Sequence, residues 1–162
     1  MMMQTTSASL AWRACAIIAA LIFVAAGSAP AAGVDVRDAT GRVVTIADPG
    51  RIVSIGGSVT EILYALEQQQ RIVAVDVTSL YPVNALKEKP NVGYLRQLSP
   101  EGVLGLSPTL VLASEGAGPK EAVAVIEAAA IPFVNVPDRY TGDGIVEKIK
   151  LIAAATGESP RG

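Results

Sequence analysis

The chain has 162 residues, with 13 basic and 15 acidic side chains, a formal net charge of −2, 51% hydrophobic residues and no histidine. A balance this close to neutral, without a basic cluster, a repeat or a low-complexity run, offers nothing to a polyanionic partner. The missing histidine and the single cysteine, Cys15, exclude imidazole-based nucleophilic catalysis, a disulfide framework and a Cys/His zinc site.

Arg13 is followed by an apolar run from Ala14 to Ala26, then by Gly27-Ser28 and the small-residue stretch Ala29-Pro30-Ala31-Ala32. This three-part form is that of a secretory signal peptide over residues 1–32, with cleavage expected after Ala31 or Ala32. The run is shorter than the roughly 20 apolar residues of a membrane span, which makes an uncleaved anchor the lesser reading. Cys15 lies at the front of the run without the small residues that precede a lipidated cysteine, and is expected to leave with the leader. The exported chain then has neither cysteine nor histidine, and 12 basic residues (13 less Arg13) face 15 acidic ones. Without disulfides its stability has to come from a core, and about 130 residues suffice for one.

Val34 to Arg37 and Arg42 to Ile46 flank Asp38-Ala39-Thr40-Gly41, which predicts a hairpin within residues 33–50. Arg51 to Ile55 reads as a β-branched strand ending at Gly56-Gly57. Ser58 and Glu61 have the spacing of a capping box for a helix through about Leu66, with Ile62, Leu63 and Leu66 on one face. Ile72 to Val75 is the next strand, ending at Asp76. A loop with Pro82 and a turn of helix at Asn84 to Lys87 lead to Val92-Gly93-Tyr94, a third and very short strand.

Ser99-Pro100-Glu101 is a helix start: a hydroxyl at the cap, a proline where no amide donor is missed, and a carboxylate at the positive end of the dipole. Pro108 ends that helix, near Leu106. Leu110 to Ala113 is a buried strand, Glu115-Gly116-Ala117-Gly118 a loop, and Pro119 opens a helix through Ala130. Phe133 to Val136 is the last strand. Gly144 to Ala155 is the last helix, with Ile145, Ile149 and Ile152 on one stripe and Gly157 as its stop.

Alternating strands and helices, with strands that are almost continuously apolar, predict an α/β lobe: a Rossmann-like parallel sheet over residues 51–157 with helices on both faces. Ligands of such sheets bind beyond the carboxyl ends of the strands. That rim comprises Gly56-Gly57-Ser58, Asp76 to Tyr81, Tyr94 to Arg96, Glu115 to Gly118 and Asp138 to Tyr140. Tyr94 and Arg96 stand out on it in a chain that is 4% aromatic.

The stretches "RIVSIGGSVTEILYAL", "RIVAVDVTSLYP", "NVGYLRQLSPEGVLGLSPTLVLASEGAGP" and "AIPFVNVP" resemble the periplasmic haem-binding proteins of bacterial ABC haem importers. These belong to a wider group of binding proteins for siderophores and cobalamin. The opening strand with G-G-S-x-T-E is shared by the wider group, whereas V-G-Y-x-R-Q-L-S with E-G-A-G-P points to the haem branch. The resemblance implies that Tyr94 is the axial ligand of ferric haem and that Arg96 stabilises its phenolate. A phenol with a pKa near 10 is mostly protonated at neutral pH, and both a ferric ion and a guanidinium favour the charged form. In an extended segment residues two apart point the same way, so the spacing permits the contact. Glu101 resembles the residue that pairs with arginine on the membrane permease. Gly116 and Gly118 would give backbone clearance beside a flat ligand. A periplasmic, monomeric carrier without catalysis is implied.

Plainer readings stand beside these. Tyr94 could be a partly buried rim residue, Arg96 a surface ion-pair partner or a haem propionate contact, and Glu101 a helix-dipole carboxylate. Gly56-Gly57-Ser58 could cradle a phosphate at a helix N-terminus, but a tight turn accounts for it. Tyr81 and Tyr140 are placed to line the rim. A siderophore or cobalamin carrier would use aromatic and arginine contacts without phenolate coordination. A small enzyme on a nucleotide-binding lobe would need a base, and only Glu115, Asp76 or Asp138 are placed to serve.

Size is the departure from the resemblance. The haem-binding family has two α/β lobes joined by a long helix, with ligand in the cleft between them. This chain resembles the amino-terminal lobe, with residues 158–162 at the start of the inter-lobe connection, so a truncated or incomplete chain is expected. Thr109, where the family usually has aspartate, is a minor departure.

Overall fold

The computed structural model describes residues 33–162. The expected leader, with Arg13, Cys15 and both candidate cleavage positions, lies outside the described residues. Strands Val34–Arg37 (β1) and Val43–Ile46 (β2) pair antiparallel, with Val34 opposite Ile46 and Arg37 opposite Val43. Their turn closes on Asp38, whose Oδ1 accepts the Thr40 amide at 2.9 Å and hydroxyl at 2.6 Å and the Arg42 amide at 3.1 Å. An aspartate that bonds its own turn in this way fixes the loop locally. Val36 and Ile46 point inward, so the hairpin shares the core of the sheet that follows.

The chain continues through β3 (Ile52–Ile55), α1 (Gly57–Ala65), β4 (Ile72–Val75), α2 (Ala85–Glu88), β5 (Gly93–Tyr94) and β6 (Gln97–Leu98). It ends with α3 (Pro100–Leu104), β7 (Leu110–Ser114), α4 (Lys120–Ala128), β8 (Phe133–Val136) and α5 (Gly142–Thr156). The parallel sheet has the order β4-β3-β7-β8. Every residue of β3 and β7 is buried, which is why those segments read as continuous apolar runs rather than alternating ones. Ile52, Leu110, Leu112, Val134 and Val136 face a core completed by Val59 and Leu63 of α1, Ile152 of α5 and the β1–β2 hairpin. Val53, Ile55, Val111, Ala113 and Phe133 face a second core with Val103 of α3, Ile126 of α4 and Val92 and Leu98 beside the β5–β6 pair. Each Val, Leu, Ile or Phe side chain among them contributes about 1.5–3 kcal/mol when fully buried. Thr109 donates its amide to Arg51 O and accepts the Arg51 amide on its hydroxyl, each at 2.9 Å, so it aligns the starts of β3 and β7.

Several boundaries match the sequence reading. Ser99 caps α3 by accepting the Gly102 amide at 3.2 Å, with Pro100 in the first turn, and Gly157 stops α5 in the left-handed region at φ 78°. Three expectations need correction. The capping box does not form: the cap of α1 is Gly56, and Ser58 lies inside the helix. The stripe Ile145-Ile149-Ile152 does not face the core as a unit. Ile145 is 57% exposed, and the buried face of α5 runs through Gly144, Lys148 and Ile152 instead. Shared helical spacing puts the isoleucines on one stripe but does not decide what the stripe faces, and Ile145 and Ile149 line a shallow depression with Ile62 and Ala65 of α1. Finally, Gly93-Tyr94 does not join the parallel sheet. It pairs antiparallel with Gln97-Leu98, and the segment meets the sheet through a single bridge of Asn91 with Val75.

Candidate functional site

Tyr94 is carried on the β5–β6 hairpin, and the hairpin is held from both sides. On the β4 side, the Val92 amide donates to Val75 O at 3.0 Å and the Val77 amide to Gly93 O at 2.9 Å. On the other side, the Gly118 amide donates to Leu95 O and its carbonyl accepts the Leu98 amide, both at 2.8 Å. Val92 and Leu98 are buried beneath the hairpin. Gly93 adopts φ 95°, a conformation that glycine takes without the Cβ penalty, and its amide is fixed by Asn91 Oδ1 at 2.7 Å.

These anchors lift Tyr94 onto the surface, 40% exposed, beyond the carboxyl end of β4. Leu95 and Arg96 form the turn between Tyr94 and its cross-strand partner Gln97. The expectation that Tyr94 and Arg96 share one face of an extended segment is therefore replaced by a hairpin geometry, because the strand reverses after Tyr94. Arg96 is exposed at the turn. Neither the phenol nor the guanidinium makes a side-chain hydrogen bond to another described residue. Both remain available to a ligand on this rim.

The glycine loop divides into two roles. Gly116 is exposed, adopts φ 86°, and has open space where a Cβ would stand. Gly118 is buried and committed to the hairpin through its two backbone bonds. Glu101 is exposed in the first turn of α3 and accepts the Ser99 hydroxyl at 3.1 Å. Tyr140 is 93% exposed and Tyr81 64% exposed, in the two rim loops expected to carry them.

The helix amino terminus at Gly56-Gly57-Ser58 is already provided with acceptors. Asp76 Oδ1 takes the Gly56 amide at 2.9 Å and Thr78 Oγ1 the Gly57 amide at 3.0 Å, so the tight-turn reading accounts for it. Asp76 is fully buried and also accepts the Thr78 amide at 3.2 Å, the Thr78 hydroxyl at 2.8 Å and the Ser79 hydroxyl at 3.1 Å. Behind it, the hydroxyls of Ser54, Thr60 and Ser79 form a buried chain with 2.7 Å links. Four donors around one carboxylate and a hydroxyl chain make this a structural knot rather than an open base.

Sequence reasoning missed Lys148. Its ammonium is buried on α5, 2.5 Å from Asp138 Oδ1 and 3.0 Å from Ser58 Oγ, and Tyr140 donates to Asp138 Oδ2 at 3.4 Å. The available signal was spacing: Lys148 lies four residues from both Gly144 and Ile152, on the buried face.

Residues 52–162 match the family of periplasmic binding proteins. The chain belongs to that family. The periplasmic heme-binding protein RhuT from Roseiflexus sp. RS-1 superimposes with a TM-score of 0.66 at 44% identity, over 68% of this chain and 42% of that one. HutB of Vibrio cholerae, also a periplasmic heme-binding protein, gives 0.65 at 37% identity, over 70% and 43%. An ABC transporter substrate-binding lipoprotein of Bacillus subtilis, YvrC, is 33% identical over 76% of this chain and 40% of its own length. A vitamin B12-binding protein of Yersinia pestis is 34% identical over 51% of this chain and 29% of its own. This periplasmic binding protein thus spans less than half the length of the relatives it matches, and its α/β sheet corresponds to part of a two-lobed architecture.

Proposed function

We propose that the chain is the amino-terminal lobe of a periplasmic haem carrier, exported by its leader, which delivers ferric haem to the permease of an ABC importer and catalyses no reaction. Tyr94 coordinates the iron through its phenolate, Arg96 holds that phenolate anionic or meets a propionate, and Gly116 leaves room for the porphyrin edge while Gly118 fixes the hairpin. Glu101 offers a carboxylate to a permease arginine, and the lobe works as a monomer. The observation that carries this reading is the exposed Tyr94 phenol, without an internal partner, raised with Arg96 on a doubly anchored hairpin at the ligand-binding rim. The similarity to solved haem-binding proteins at 34–44% identity supports haem over other cargoes. Tyrosine is an established ligand of haem iron, and a ferric ion favours the deprotonated phenol.

A siderophore or cobalamin carrier is the second reading, favoured by the vitamin B12-binding relatives. Ferric haem added to the full chain separates the two. The haem reading expects the visible spectrum of phenolate-ligated ferric haem, lost in Tyr94→Phe. A Tyr94→Phe variant with the wild-type spectrum overturns the ligation, and cobalamin binding in place of haem binding establishes the alternative.

A further inference from the structure

Asn91 is where the parallel sheet hands over to the Tyr94 hairpin. Its backbone forms the isolated bridge to Val75 of β4, framed by the Val75 amide on Pro90 O and the Val92 amide on Val75 O, both at 3.0 Å. Beyond it the chain leaves the sheet: Val92 is buried, Gly93 takes φ 95°, and Tyr94 is the next residue. Asn91 itself is exposed, but its side chain folds forward over two residues, and its Oδ1 accepts the Gly93 amide at 2.7 Å. This is the local turn that asparagine and aspartate form with the backbone two residues on.

Gly93 depends on that bond because the hairpin does not hold it. It stands opposite Leu98 in the β5–β6 register, and the Leu98 amide goes to Gly118 O rather than to Gly93. Both polar backbone groups of Gly93 are held from outside the hairpin: the carbonyl accepts the Val77 amide at 2.9 Å, and the amide has Asn91 Oδ1. Glycine has more backbone freedom than any other residue. Without an acceptor for its amide, the peptide unit between Val92 and Gly93 can rotate and carry Tyr94 with it.

We infer that Asn91 is a positioning residue for the Tyr94 phenol: its Oδ1 fixes the Gly93 amide, and through it the place where the phenol oxygen meets the iron. This rests on the haem reading above. Asn91 acts through Gly93, by keeping the ligating geometry populated before haem arrives. Losing one hydrogen bond of ordinary net strength lowers that population, and binding weakens in proportion, by about two- to tenfold.

The test has a ligand-free and a haem-loaded arm, both on the full chain. In native-state hydrogen exchange without ligand, Asn91→Ala is expected to speed exchange of the Gly93 amide by about two- to tenfold, while the Val92 amide keeps its wild-type rate. In the loaded arm, release of hemin to an apomyoglobin scavenger is expected to quicken by a similar factor. Asn91→Asp keeps the acceptor and the turn. It should release hemin within about twofold of the wild type in 1 M salt, where a Debye length of about 3 Å screens the added charge. In a Tyr94→Phe background, Asn91→Ala has no further effect on release, which a purely structural role would not produce. Three results each overturn the assignment while the haem reading stands: wild-type Gly93 exchange in Asn91→Ala, equal release rates for Asn91→Ala and Asn91→Asp, or an undiminished Asn91→Ala effect in the Tyr94→Phe background. If the wild-type chain binds hemin without any phenolate spectrum, the haem reading falls and the positioning role with it.

Discussion

Gly118 donates its amide to the Leu95 carbonyl at 2.8 Å and takes the Leu98 amide on its own carbonyl at the same distance. These two bonds cross from the glycine loop to both sides of the turn that carries Arg96, and they make the hairpin part of the lobe rather than a free appendage. A two-stranded hairpin of this size has no stability of its own in water. The Leu98 and Gly118 amides should therefore be protected in native-state hydrogen exchange, while the Arg96 amide in the turn exchanges quickly. A Leu98 amide that exchanges as fast as that of Arg96 would contradict the clamp and the fixed geometry it gives Tyr94.

Gly56 is a position where both backbone angle and space oppose a side chain. It adopts φ 113°, and a Cβ there would collide with the Ser114 side chain of the neighbouring strand β7. Gly56→Ala combines backbone strain with that collision, and is expected to lower unfolding free energy by about 2–4 kcal/mol. Urea denaturation with an unchanged m-value measures it, and a loss below about 1 kcal/mol would show that the turn relaxes.

The sheet was legible in the sequence because its strands are apolar throughout and its punctuation is strong. Pro100, Pro108, Pro119 and Gly157 each stand near a helix boundary for a stated chemical reason. The rim followed from the strand ends. The hairpin did not follow, because the residues that make it, Gly93-Tyr94 and Gln97-Leu98, are too few to show a period. Their pairing is set by distant partners, Val77 and Gly118. Ser58 has the right spacing for a cap, but capping is a matter of backbone angle, and Asp76 reaches the helix end from twenty residues away. Lys148 carries no such signal beyond its spacing, because a charged residue is usually solvent-facing, and only the fold brings Asp138 to it.

Asp38 makes stability depend on acid pH. Burial by itself raises its pKa, but hydrogen bonds from Thr40, Arg42 and Asn135 outweigh that and bring it from 3.8 to about 2. The Arg42 guanidinium also bonds Glu127 at 2.7 Å, and these contacts, with Glu127 first and Asp38 second, raise the arginine's own pKa. The unfolded chain binds a proton at Asp38 more tightly than the folded one, so ionised Asp38 stabilises the fold above about pH 4. This contribution, about 2 kcal/mol, is lost as pH falls through about 2. Comparison of wild type with Asp38→Asn by chemical denaturation should show a stability gap that is constant from pH 5 to pH 7 and closes below about pH 3. A gap that persists unchanged at pH 2 would mean that the lost hydrogen bonds, rather than the charge, account for it.

Lys148 and Asp138 form an asymmetric pair: the lysine side chain is 8% exposed and the aspartate 34%. The ammonium has given up its water for two contacts, Asp138 and Ser58. Removing the aspartate leaves a buried cation with one neutral partner, whereas removing the lysine leaves a carboxylate that reaches solvent. Asp138→Ala is therefore expected to cost about 1–3 kcal/mol, below the range for a fully buried pair because Asp138 is partly solvated. Lys148→Met keeps the aliphatic packing of α5 against the sheet and is expected to change stability by less than about 1 kcal/mol in either direction. Thermal or urea unfolding of the two variants provides the comparison, and Lys148→Met proving the more damaging would place the stabilisation in the ion pair itself rather than in the packing around it.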